Sequence, residues 1–106
     1  MAIASKNLFD GVLTAILANT YVAPLLITGV VKAASFANPT AAVVTLNISI
    51  IARAGGTARV IRPPRNLAPF EEFFAAGLIN QVIEAGGAIQ ASGLAIEVVI
   101  SGVELV

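Results

Sequence analysis

The segment Val44-Thr45-Leu46-Asn47-Ile48-Ser49-Ile50 alternates apolar and polar residues without a break. A period of two places successive side chains on opposite faces of an extended chain. The segment therefore predicts a strand with Leu46, Ile48 and Ile50 on the buried face and Thr45, Asn47 and Ser49 outward. The C-terminal run repeats the pattern, with Ile96, Val98 and Ile100 set against Glu97, Val99 and Ser101. After Gly102 the apolar residues change phase, to Val103 and Leu105. A glycine at a phase change predicts a β-bulge.

Turn-forming residues recur along the rest of the chain: Asn19-Thr20, Asn38-Pro39, Gly55-Gly56, Asn66 to Pro69, Gly77, Gly86-Gly87 and Ser92-Gly93. Segments of roughly 6–12 residues between such signals predict strands of a sandwich or barrel, not βαβ units. The predicted fold is all-β: a single antiparallel β-sandwich, jelly-roll-like, of about eight strands. The strands are placed at 12–18, 25–36, 42–53, 58–62, 70–75, 79–84, 88–92 and 95–105. For 69–84 a short helix near 71–76, stopped by Gly77, is the alternative. With 106 residues the chain has room for one modest core. Residues 1–11 precede the pattern and are expected to form an N-terminal arm that orders on assembly, ahead of one sandwich domain over 12–106. The only internal echo, Ala54-Gly55-Gly56 against Ala85-Gly86-Gly87, is turn chemistry and not a repeat.

Composition narrows the function. The chain is 58% hydrophobic and 11% charged, with a net charge of zero. A soluble domain ordinarily carries about 25% charged residues, so part of this surface is expected to lie against other subunits or in a membrane. A general basic field for nucleic acid is lacking. There is no cysteine or histidine, which removes disulfides, thiolate chemistry and the commonest general base and metal ligand. Asp10 and the five glutamates show no metal-ligand spacing. No enzyme activity, metal or cofactor is expected.

The run from Gly11 to Val31 is uncharged and long enough for a bilayer span of roughly 20 residues. Its centre, Asn19-Thr20-Tyr21-Val22-Ala23-Pro24, reads as a polar turn where a span should be most apolar, and only Lys6 and Lys32 flank it. Two strands around a turn fit better than a broken helix, and a membrane partner is not expected. The run also starts late for a signal peptide.

The stretch IIARAGGTARVIRPP, residues 50–64, raises a phosphate-binding question. A P-loop needs Gly-Lys-Ser/Thr followed by a helix. Here Gly55-Gly56-Thr57 lacks the lysine and leads into the strand-forming run Ala58-Arg59-Val60-Ile61. Gly-Gly between two such runs suits a two-residue hairpin turn, which would set Ile50 opposite Ile61 and Ile51 opposite Val60. Arg53, Arg59, Arg62 and Arg65 are four of the six basic residues. They read either as ordinary solvated charges or as an arginine-rich arm for an acidic surface on a neighbouring subunit. Pro63-Pro64 should end the strand or mark a sheet edge. Phe70, Phe73 and Phe74 read first as core and otherwise as interface anchors. Glu71-Glu72 is no catalytic pair, because neighbours on a strand face opposite ways. The candidate contact residues are Arg53, Gly55, Gly56, Arg59, Arg62, Arg65, Phe70 and Phe73, together with the arm 1–11.

The order of these signals resembles small phage virion proteins. The pieces that carry the resemblance are Tyr21-Val22-Ala23-Pro24, Val44-Thr45-Leu46, Gly55-Gly56-Thr57-Ala58, Ile83-Glu84-Ala85-Gly86-Gly87-Ala88-Ile89-Gln90-Ala91 and Ser101-Gly102-Val103-Glu104. The similarity covers roughly residues 12–106, and each piece is turn or strand chemistry, so the specificity lies in their order. Gly87 stands where an aspartate is usual, and Pro63-Pro64 interrupt the strand after the hairpin. The resemblance implies a β-sandwich structural protein of the virion, made in the bacterial host cytoplasm. Its expected partners are the major capsid protein or other virion proteins and further copies of itself, with no specific nucleic acid. A capsid decoration or cement role comes first and a neck or tail accessory second. The alternatives from other classes are a small membrane protein with a span at 11–31 and a carbohydrate-binding sandwich. The latter is disfavoured by the absence of Trp and the single Tyr.

Overall fold

The computed structural model describes residues 3–61 and 63–105. Their strands are β1 (Ile3–Val12), β2 (Ala18–Val22), β3 (Thr28–Ala37), β4 (Val44–Ile51), β5 (Arg59–Val60), β6 (Arg65–Leu67), β7 (Glu72–Phe74), β8 (Val82–Ile83), β9 (Ala88–Ser92) and β10 (Glu97–Leu105). One 3₁₀ turn covers Ala76–Leu78.

The strands form two antiparallel sheets. One runs β1-β10-β3-β7, with β8 also on β3; the other runs β2-β9-β4-β5, with β6 also on β4. Taking β5/β6 and β7/β8 each as one interrupted strand, the chain crosses repeatedly between sheets in the order of a jelly roll. Both interruptions have local causes. Pro63-Pro64 cannot donate to a ladder, so pairing with β4 stops after Val60 and resumes at Arg65, on the sheet edge. Between β7 and β8 the 3₁₀ turn drives Leu78 into the core.

The alternating segments bury the apolar residues that their period predicts, although Ser49, expected outward, is buried as well. Leu46, Ile48 and Ile50 from β4 meet Val98 and Ile100 from β10, with Val31, Ala34 and Phe36 from β3 and Ile89 and Ala91 from β9. Each fully buried Ile, Leu or Phe contributes about 1.5–3 kcal/mol.

Several expectations are corrected. Residues 3–12 are an edge strand on β10 where an arm 1–11 was expected, and 13–17, expected in a strand, form a loop. The long pairing partner β10, invisible to local pattern, recruits them. Asn19–Val22 lies in strand β2 and is not a turn, because Tyr21 points into the sandwich while Asn19 accepts a hydrogen bond from Gln90 at 3.1 Å. Residues 11–31, weighed as a membrane helix, are the end of β1, all of β2 and the start of β3. No helix among the described residues is long and apolar enough to cross a membrane. The helix alternative for 71–76 gives way to a strand. Phe73 lies opposite Phe36 in the pairing of β7 with β3, the two rings 6.4 Å apart.

The bulge near Gly102 exists, but its extra residue is Lys32 on β3, between the pairs Ser101–Ala33 and Gly102–Val31. β10 thus keeps its phase, and Glu104 faces inward, only 6% exposed. Gly102 is required there because a Cβ would collide with the Val30 carbonyl.

Candidate interaction surfaces

The loop between β4 and β5 covers residues 52–58. Its tight turn is Arg53 to Gly56, closed by the Gly56 N–H on the Arg53 carbonyl at 2.9 Å, and only Gly55 has positive φ, +73°. The turn therefore uses one glycine, not two. The register is Ser49–Val60 and Ile50–Arg59, two residues from the expected one, because the turn is centred on Ala54-Gly55 and not on Gly55-Gly56; its tip meets a neighbour. That neighbour is the turn Glu84 to Gly87. Ala54 N–H donates to Ala85 O at 3.3 Å and Glu84 N–H to Ala52 O at 2.8 Å. A Cβ on Gly86 would lie 2.5 Å from the Ala54 Cβ, so the two glycine turns touch. β5, not a helix, follows the glycines.

The four arginines do not form one cluster. Arg59 sits across from Ile50 and Arg65 across from Leu46, roughly 13 Å apart along β4. Arg53 pairs with Glu84 at 3.3 Å, both side chains more than half exposed, which makes this a weak surface pair. Arg65 is more deeply set. Its guanidinium lies 4.6 Å from the Phe73 ring centroid and 3.1 Å from Glu71 Oε2. Its Nε is buried and has no hydrogen-bond partner among the described residues. Glu71 Oε1 accepts the Ala68 N–H at 2.7 Å, and this bond first, then Arg65, lowers the Glu71 pKa. Arg59 is exposed on an edge strand. Arg62 lies outside the described residues. Two of the predicted contact arginines are thus engaged within the chain. Phe73 packs against the core, whereas Phe70 is 72% exposed.

The surface feature that the sequence did not disclose is apolar and lies on the turns. At one end of the sandwich, loops 13–17, 38–43, 68–71 and 93–96 leave Ile16, Leu17, Val43, Phe70 and Leu94 exposed. Here a groove of about 500 Å³ runs between Ala15, Val43, Leu94 and Ala95, with Asn47 and Ser92 from the outer face of β4 and β9, and no lining residue is charged. Asn47 Nδ2 donates to Ser92 Oγ at 3.3 Å, which satisfies part of that polar floor.

At the opposite end, the turn Pro24-Leu25-Leu26-Ile27 is closed by the Ile27 N–H on Pro24 O at 3.1 Å. Leu25 and Leu26 are 83% and 82% exposed. Leu26 has φ +64°, as Phe70 and Ala95 have +61° and +66° in equivalent turns. A branched or aromatic side chain in this left-handed region costs about 1–2 kcal/mol where glycine would cost little. Strain of this kind persists only where the surrounding structure holds it in place. The sequence hid these residues because an all-apolar Leu-Leu-Ile turn reads as strand.

A polar cluster lies between the sheets. Tyr21 Oη donates to Glu104 Oε2 at 2.8 Å, and Lys6 Nζ donates to Glu104 Oε1 at 3.1 Å. Tyr21 fits because Gly29 lies under its ring, where a Cβ would stand 2.6 Å from Oη. Burial first, then Glu104, pushes the Tyr21 pKa well above the ordinary phenol value. The Tyr21 hydrogen bond, opposed by burial and helped by Lys6, lowers that of Glu104. Among the described residues, no group of three or more Asp or Glu side chains is placed to hold a metal.

Comparison with protein-family models, with curated proteins and with solved structures finds no match to this chain.

Proposed function

We propose that this chain is a non-enzymatic structural protein of a phage particle, a capsid decoration or cement protein that stabilises the shell by contacts between subunits. The observation that carries the reading is the exposure of large apolar side chains on turns at both ends of one sandwich: Leu25 and Leu26 at one, Ile16, Val43, Phe70 and Leu94 at the other. The ordered turn and strand signals that resemble small virion proteins support it. The jelly roll alone does not discriminate, since viral capsid and lectin domains share it. The low charged fraction, 11%, favours contact with protein surfaces. Each 100 Å² of apolar surface buried at a subunit junction is worth about 2.5 kcal/mol, and a shell repeats the contact many times.

The test is electron microscopy of assembled particles carrying gold-labelled protein. Label spread over the shell is expected. Label confined to the neck or tail would move the protein to an accessory role there. Its absence from purified particles would overturn the virion reading.

A further inference from the structure

We propose that the outer face of β4 and β9 binds a neutral saccharide, with Asn47, Ser49 and Ser92 as the hydrogen-bonding floor of the site.

The floor is set by the pairing of two central strands. Asn47 stands opposite Ser92, and Ser49 follows Asn47 two residues along β4. The three side chains therefore share one face, roughly 5–8 Å apart. Ser49 and Ser92 are only 7% and 5% exposed, yet both line an open concavity on this face and not the core. Ser49 Oγ has no hydrogen-bond partner among the described residues. Ser92 Oγ accepts from Asn47 Nδ2 at 3.3 Å, which leaves its own hydrogen and the Asn47 Oδ1 lone pairs to be used. The polar pairs to either side are closed: Thr45 Oγ1 donates to Asn66 Oδ1 at 2.7 Å, and Gln90 Nε2 to Asn19 Oδ1 at 3.1 Å. A hydroxyl taken out of water and left unbonded is costly. The unused capacity on this face is thus concentrated at one place, and that place is concave.

The walls are aliphatic. Ala15 and Leu17, from the loop between β1 and β2, stand on one side of the floor, and Val60 and Pro64 stand on the other. Leu17 and Val60 keep 44% and 67% of their surface exposed.

This chemistry selects among ligands. An alkyl chain would cover Ser49 and Ser92 and leave both hydroxyls unbonded. An extended peptide adds to a sheet through main-chain groups at an edge. β4 and β9 have strands on both sides, so they offer a ligand only side chains. A saccharide carries several hydroxyls on a stiff ring, each able to donate and accept, and its C–H edges suit aliphatic walls. The absence of Trp removes a stacking platform and lowers affinity, so a few hydrogen bonds should hold one sugar unit with a dissociation constant on the order of millimolar.

The test is a nuclear magnetic resonance titration of the whole chain with neutral di- and trisaccharides of glucose, galactose, mannose and N-acetylglucosamine. At least one should give saturable shifts at the Asn47 side-chain amide and at the Ser49 and Ser92 backbone amides. No such shifts with any of them would overturn the proposal. So would tighter binding at these positions by hexanol, which means an apolar site, or by N-acetyl-Ala-Ser-Ala-amide, which means a peptide site. Ser49→Ala separates binding from folding. It removes a hydroxyl that has no partner in the fold, so it should melt no lower than the wild type and bind the sugar several-fold more weakly. Unchanged affinity would refute the assignment, and a lower melting temperature would show that the hydroxyl serves the fold. None of these readouts uses particles, so the virion placement stands or falls separately.

Discussion

Tyr21 of β2 and Glu104 of β10 are joined by a 2.8 Å hydrogen bond that crosses from one sheet to the other, and each residue is only 6% exposed. The bond uses the inward phase of Glu104, which the Lys32 bulge on β3 permits. Its pH consequences have two signs. Glu104 has a lowered pKa in the folded chain, so its contribution is present above the unfolded carboxylate value of about 4.3. It is lost as the pH falls through the folded value. Tyr21 has a raised pKa, so its contribution is full below about 10 and declines as the pH rises above that. Urea denaturation across pH should therefore show a plateau that falls at both ends. Glu104→Gln should flatten the acid side, and Tyr21→Phe should lower the plateau by about 1–3 kcal/mol. An unchanged acid limb in Glu104→Gln would leave the loss to Glu71, whose pKa is also lowered.

The contact between the two glycine turns predicts unequal costs. Gly55 has open space around its missing Cβ, so Gly55→Ala pays only the positive-φ term of about 1 kcal/mol. Gly86→Ala pays that and a collision with Ala54. It should lose more in melting temperature, about 4–8 °C for each extra kcal/mol. Ala54→Gly should restore part of the loss in the double variant, and additivity of the two changes would show that the turns do not press on each other.

The arginines should separate by environment. Arg53→Ser should change stability by less than about 1 kcal/mol, because its pair with Glu84 is exposed. Arg65→Ser removes a guanidinium stacked on Phe73 and bonded to Glu71, and should cost about 1–2 kcal/mol. Arg65→Lys should not restore it fully, because an ammonium lacks the flat face. Equal melting temperatures for the two serine variants would refute this division.

Core and tip phenylalanines should respond in opposite directions. Phe36 has no exposed surface, and Phe36→Ala should cost about 3–5 kcal/mol. Phe70 is mostly exposed with φ +61°, so Phe70→Gly should leave the melting temperature unchanged or raise it. A marked loss on Phe70→Gly would mean that its ring supports the fold and is no free anchor.

What the sequence settled by itself is local. Alternation in 44–50 and 96–101 set the buried faces of β4 and β10. The turn residues marked off 88–92 to the residue and warned of the break at Pro63-Pro64. These follow from side-chain sterics and from missing N–H donors, which act within a few residues. The tertiary structure decided whatever depends on a partner far along the chain. It drew Ile3–Val12 onto β10, placed the bulge on Lys32, turned Glu104 inward to Tyr21 and moved the hairpin register by two residues. It also divided the arginines between internal partners and solvent. Leu25 and Leu26 show the limit most plainly: an apolar pair reads the same whether it enters a core or projects from a turn. Only the closure of Pro24 to Ile27 between two sheets puts it outside. Strand partners and register are settled by packing over the whole chain, and the period of two is blind to both.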